Sequence, residues 1–183
     1  MIKDGISRTS RLLTLYYLFE NCREVSIYEM VPKISEQTFF DDVQLLRDAG
    51  VIKAKYDEEE KSFYPEWKMQ DAPFEPNYPE DETQRAYIDK IRRLCILMKN
   101  LNYYEGEEEP LHIDQYKELF PDESDETRER DFDELAKLGI AGHRYLSDDD
   151  DDGEEKWLYD FDISSDPYDL DTIEEMEIPK SSG

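Results

Sequence analysis

Residues 35–50 read SEQTFFDDVQLLRDAG, and residues 124–139 read SDETRERDFDELAKLG. The two stretches align at a constant offset of 89, pairing Ser35 with Ser124, Thr38 with Thr127, Asp42 with Asp131, Val43 with Phe132, Leu46 with Leu135 and Gly50 with Gly139. Each has the grammar of a helix. A serine stands where an N-cap accepts an orphan backbone N–H, apolar residues recur at three or four, and a glycine follows the last turn. In the first copy the apolar positions are Phe39, Val43, Leu46 and Ala49.

Working outward, the surroundings repeat as well. Residues 6–20 place Leu12, Leu15, Tyr16 and Phe19 at helical spacing, widened by Leu13 and Leu18. Ser26 and Glu29 form a capping box that opens a short second helix running to about Lys33. After Gly50, residues 51–56 and 62–64 are rich in β-formers and flank a charged turn at 57–61, so they read as a two-stranded wing. The second copy has a helix over 81–101, with Tyr87, Ile91, Leu94, Met98 and Leu101 on one stripe, and a short helix within 111–120. It ends in strands at 143–146 and 156–161 around an acidic turn. Three helices and a hairpin, twice, predict a mainly α chain with small β wings, an α+β class of two tandem winged helix-turn-helix domains. The expected domains are 1–64 and 81–162, joined by a proline-rich linker at 65–80 and followed by an acidic tail at 163–183 that composition reads as disordered.

The pattern T-x-x-R-D-I-x-x-L-R-x-A-G resembles the third helix of the winged helix-turn-helix domains that open DeoR-type and WYL-domain bacterial transcription regulators. Thr38, Asp42, Val43, Leu46, Arg47, Ala49 and Gly50 match it; Asp41 stands where that family usually has arginine, while the second copy keeps Arg130 before Asp131. The resemblance covers the binding modules, and no WYL-type sensing domain follows them. It implies that the third helix reads the DNA major groove through Gln37, Phe39, Phe40, Gln44 and Arg47. Arg8, Arg11, Lys33, Lys53 and Lys55 would then hold phosphates, with Arg128 and Arg130 as the second unit's counterparts. It also implies a bacterial or phage-encoded protein working in a cytoplasm.

Charge points elsewhere. The 183 residues carry a net charge of −26. Residues 1–56 hold eight basic and eight acidic side chains, whereas residues 148–183 hold two and fifteen. Helices 35–49 and 124–138 are each net −3. Duplex affinity depends on neutralising phosphates, so such helices work against it.

Two readings follow. In the first, a DNA-binding transcriptional regulator reads DNA with its neutral first unit and dimerises through residues 81–101. In the second, a nucleic-acid mimic presents an acidic surface, through its acidic second unit and tail, to a basic protein. It would occupy the channel of a DNA-handling enzyme such as a Cas nuclease, as acidic anti-CRISPR inhibitors do.

Catalysis finds no support: His112 and His143 are isolated, and neither a glycine-rich phosphate loop nor a Cys/His metal spacing occurs. Asp148, Asp150, Asp152 and Gly153 begin like a calcium loop, but its twelfth position is Tyr159 in place of a bidentate glutamate. No metal or other cofactor is expected. Cys22 and Cys95 lie in apolar-periodic segments and read as free thiols of a reduced cytoplasm, and no apolar run is long enough to span a membrane.

Overall fold

Ser7 starts the first element by accepting the N–H of Ser10 on its hydroxyl at 3.0 Å. The computed structural model describes residues 7–26, 34–66, 73–103, 111–137, 141–144 and 156–159. Helix α1 (Arg8–Asn21) is followed by strand β1 (Val25–Ser26), helix α2 (Glu36–Asp48) and strands β2 (Ala54–Asp57) and β3 (Ser62–Pro65). Helix α3 (Glu82–Tyr103) leads to β4 (Leu111–His112), α4 (Ile113–Leu119), α5 (Asp125–Lys137), β5 (Ala141–Arg144) and β6 (Lys156–Tyr159). The protein is mainly helical, with two small antiparallel sheets ordered β1-β3-β2 and β4-β6-β5. Helix, strand, helix and hairpin recur in that order among the described residues, with α4 added between β4 and α5 in the second unit, and in both sheets the last strand is central.

The repeated grammar becomes repeated geometry at the helix starts. Ser35 caps α2 by accepting from the Thr38 N–H at 3.0 Å, and its hydroxyl donates to Thr38 Oγ1 at 2.9 Å. Ser124 does the same for α5, with Thr127, at 3.2 and 3.1 Å. At the other end of α2, Gly50 adopts φ 72°, a left-handed conformation open to a residue without Cβ.

The core of the first unit gathers on Phe63, 1% exposed in the central strand β3. Its ring meets Phe19, Phe39, Phe40 and Tyr56 at centroid distances of 6.0, 5.8, 5.8 and 4.8 Å. Leu12, Leu13, Leu15 and Tyr16 of α1 and Val43 and Leu46 of α2 complete it, all buried. In the second unit Tyr116, Phe132 and Leu135 are buried, and Tyr116 packs on Phe120 and Phe132. Trp157 holds the register position of Phe63: it pairs with Leu111 and His143 as Phe63 pairs with Val25 and Tyr56.

Several sequence expectations are corrected. Ser26, expected to open a helix, is a buried residue of β1 opposite Ser62. The remainder of that helix, with Glu29 and Lys33, lies outside the described residues, as do the acidic turn at 148–153 and the tail. Residues 111–112 form a strand before the expected helix begins at Ile113. Two-residue strands carry too little sequence to show a period, which is why neither β1 nor β4 was legible.

The division between the two compact units also differs from the expected one. It falls inside α3, between Arg92 and Arg93, and not in the linker. The first turns of α3 bond within the first unit: Thr9 Oγ1 lies 3.0 Å from the Tyr87 hydroxyl, and Arg92 donates to the Ala49 carbonyl. The α3 stripe expected to form a homodimer is consumed within one chain, with Ile91, Leu94 and Met98 at 0, 0 and 1% exposure.

Candidate interaction surfaces on the paired helices

The two aspartates of the repeat define what each helix turns inward. Asp42, on α2, accepts Arg11 Nε and Nη2 of α1 at 2.6 and 2.9 Å. Asp131, on α5, accepts Arg93 Nε and Nη2 of α3 at 2.9 and 3.3 Å, together with the Tyr116 hydroxyl at 2.8 Å. Both carboxylates are buried, at 1 and 2% exposure, and each is matched by a planar two-pronged donor. Burial, and then the bond to Asp131, hold the Tyr116 hydroxyl protonated well above the usual tyrosine range. The repeated Asp is therefore a fastener between two helices of its own unit, α1 with α2 and α3 with α5.

This geometry removes several candidates from the surface. Arg11, expected on phosphate, is committed to Asp42. Phe39, expected on a base, is fully buried in the core. Arg47 donates to the Ala54 carbonyl at 2.7 Å and lies over the Phe63 ring, so it ties α2 to β2. Arg128 is 8% exposed and held by Asp125 and Glu129.

What α2 turns outward is polar and acidic. Glu36, Gln37, Asp41 and Gln44 are exposed, with Phe40 half-buried against Tyr56, ring to ring at 5.2 Å. Gln37 donates to Asp41 at 2.8 Å and Gln44 to Asp48 at 3.0 Å, so both glutamine amides are held by carboxylates one turn on. On α5 the same pair of positions is bonded with reversed chemistry, Arg130 reaching Glu126 at 3.4 Å. Glu126, Glu129 and Asp133 are exposed there. The hairpin turn of the first unit adds three exposed glutamates, Glu58, Glu59 and Glu60, shaped by Asp57, whose carboxylate accepts the N–H groups of Glu59 and Glu60. Tyr64 donates its hydroxyl to Glu60, and that bond first, then burial, keeps the hydroxyl protonated above the usual tyrosine range.

Arg130 and three of the first unit's expected basic contacts are exposed. Arg8 lies over the Tyr87 ring at 5.2 Å, Lys53 over Phe74 at 4.5 Å, and Lys55 reaches Glu66 at 4.0 Å. The charged turn at 57–61 was legible, whereas the Arg11–Asp42 fastener escaped sequence reading; its only signal was the coincidence of Asp42 with Asp131 in the repeat.

Among the described residues no three His, Cys, Asp or Glu side chains group to hold a metal, and no helix is long and apolar enough to cross a membrane. The chain matches no protein-family model, no curated protein and no solved structure.

Proposed function

We propose that the chain is a tandem pair of winged-helix modules acting as a non-enzymatic regulatory protein, and that its α2 and α5 faces engage a basic protein surface. The observation that carries this reading is the sorting of charge on α2. Its arginine and its repeated aspartate, Asp42, are tied to neighbouring elements, while Glu36, Asp41 and the amide-holding Asp48 line the side that a DNA reader presents to the groove. Helix α5 repeats the arrangement with Glu126, Glu129 and Asp133. Carboxylates spaced along a helix face suit lysine- and arginine-rich surfaces such as a nucleic-acid channel, and the net charge of −26 draws such partners in.

Duplex contact by the first unit is the second reading, and exposed Lys53 and Lys55 beside β2 favour it. A salt titration separates the two. Each phosphate neutralised steepens the dependence of log affinity on log salt by about 0.9. Binding of an oligo-arginine peptide without a duplex shift supports the first reading. A duplex shift whose salt slope flattens when Lys53 and Lys55 are both changed to alanine supports the second and overturns the first.

A further inference from the structure

We infer that residues 73–79 form a strap over the C-terminal end of α2, latched by Arg92 and able to open while the core of the first unit stays folded. A helix ends with carbonyls that lack partners inside it. After α2, the N–H groups of Ala49, Gly50 and Val51 turn back onto Leu45, Arg47 and Leu46. The carbonyls of Asp48, Ala49 and Gly50 come next, and the strap and its latch take all three. Asn77 N–H reaches Asp48, Arg92 Nη1 reaches Ala49, and Phe74 N–H reaches Gly50, each at 2.7 Å.

The same Arg92 nitrogen also donates to the Phe74 carbonyl at 2.7 Å, so one guanidinium joins helix end and strap. Gly50 makes the approach possible: a Cβ there would fall on the Phe74 carbonyl oxygen and lie 2.6 Å from Arg92 Nη1. Farther along, Tyr78 donates to Asp89 of α3 at 2.6 Å.

The strap is held by these polar bonds more than by packing. Pro73, Pro76 and Pro79 have no N–H to give, and every side chain from 73 to 79 is exposed or half-buried. Phe39, Val43 and Leu46, by contrast, fix α2 from its other side at 0, 1 and 0% exposure. A segment with little buried apolar surface opens at lower free energy than the core it covers. Opening breaks the Arg92 bond to the Phe74 carbonyl while its bond to Ala49 stays, and withdraws the Phe74 ring from exposed Lys53, so two cations beside α2 change their surroundings in a chain otherwise dominated by carboxylates. The strap therefore sets how these two cations are presented at that end of the helix.

Hydrogen exchange of the full chain, followed by mass spectrometry, tests this with R92Q and Y78F. In R92Q, peptides covering 48–51 and 73–79 exchange faster by on the order of tenfold, while those of α1 and the β2–β3 hairpin keep their wild-type rates. In Y78F the strap peptide accelerates and the core peptides do not. Unchanged strap exchange in both variants overturns the proposal. So does equal acceleration of strap and core, or loss of folding in R92Q, because each makes the segment part of the cooperative core.

Discussion

At Asp42 and Asp131 the repeat places a carboxylate where water cannot reach it, and an arginine from the preceding first helix of the unit neutralises it. Such a pair adds little net stability compared with an apolar filling, but losing one partner strands the other. Asp42→Ala and Asp131→Ala, which remove the buried acceptors of Arg11 and Arg93, are each expected to cost about 3–5 kcal/mol in chemical denaturation. A cost under about 1 kcal/mol, the level of an exposed pair, would contradict burial of the fastener. Tyr116 makes the second unit sensitive to alkali. Its pKa is raised on folding, so the folded state holds a proton that the unfolded chain releases as pH passes the ordinary tyrosine value of 10.0. Stability contributed by this group is whole below that value and declines above it. Tyr116→Phe is expected to shallow the alkaline fall in melting temperature, and an unchanged fall would contradict the assignment. In the sequence, the coincidence of the two aspartates was readable and their partners were not, because Arg11 lies 31 residues from Asp42 and only folding brings them together.

Elements with strong ends were the legible ones. Ser35 and Ser124 announced the starts of α2 and α5, Gly50 announced an end, and the structure places both caps where the pattern set them. Ser35→Ala and Ser124→Ala are each expected to lower stability by about 1 kcal/mol, the usual worth of an N-cap, measured by chemical denaturation. The strands β1 and β4 and the interior role of Arg47 were not legible, since a two-residue strand has no period and an arginine on a half-buried helix face gives no sign of which way it points. Proline and polar residues made 73–79 look like a free connector, yet two of its backbone amides close the end of α2. Gly50→Ala combines a positive φ with the loss of that approach, and is expected to cost more than the roughly 1 kcal/mol of the backbone term alone. On the outer face of α2, Asp41→Arg restores the residue usual in the resembling regulators, frees Gln37 and is expected to raise affinity for duplex DNA at low salt. Unchanged affinity would show that this face does not govern nucleic-acid contact.

For the whole molecule, fold pattern and charge point to different ligands. Two units share a sheet order, and the sequence pattern of their capped helices resembles that of DNA readers, while the net charge of −26 and two outward acidic helix faces favour a basic partner. Topology alone does not fix a ligand. Long-range repulsion of phosphates fades within about 8 Å at physiological salt, so the decision rests on the faces of α2 and α5 and on the wing turn. Anisotropy titrations of a labelled random duplex and a labelled oligo-arginine peptide, run side by side with the full chain at about 50 mM salt, measure that decision. The acidic faces predict saturable peptide binding that weakens with salt and with Asp41→Lys and Asp133→Lys, and no duplex binding; a duplex bound more tightly than the peptide, unaffected by those reversals, would contradict them.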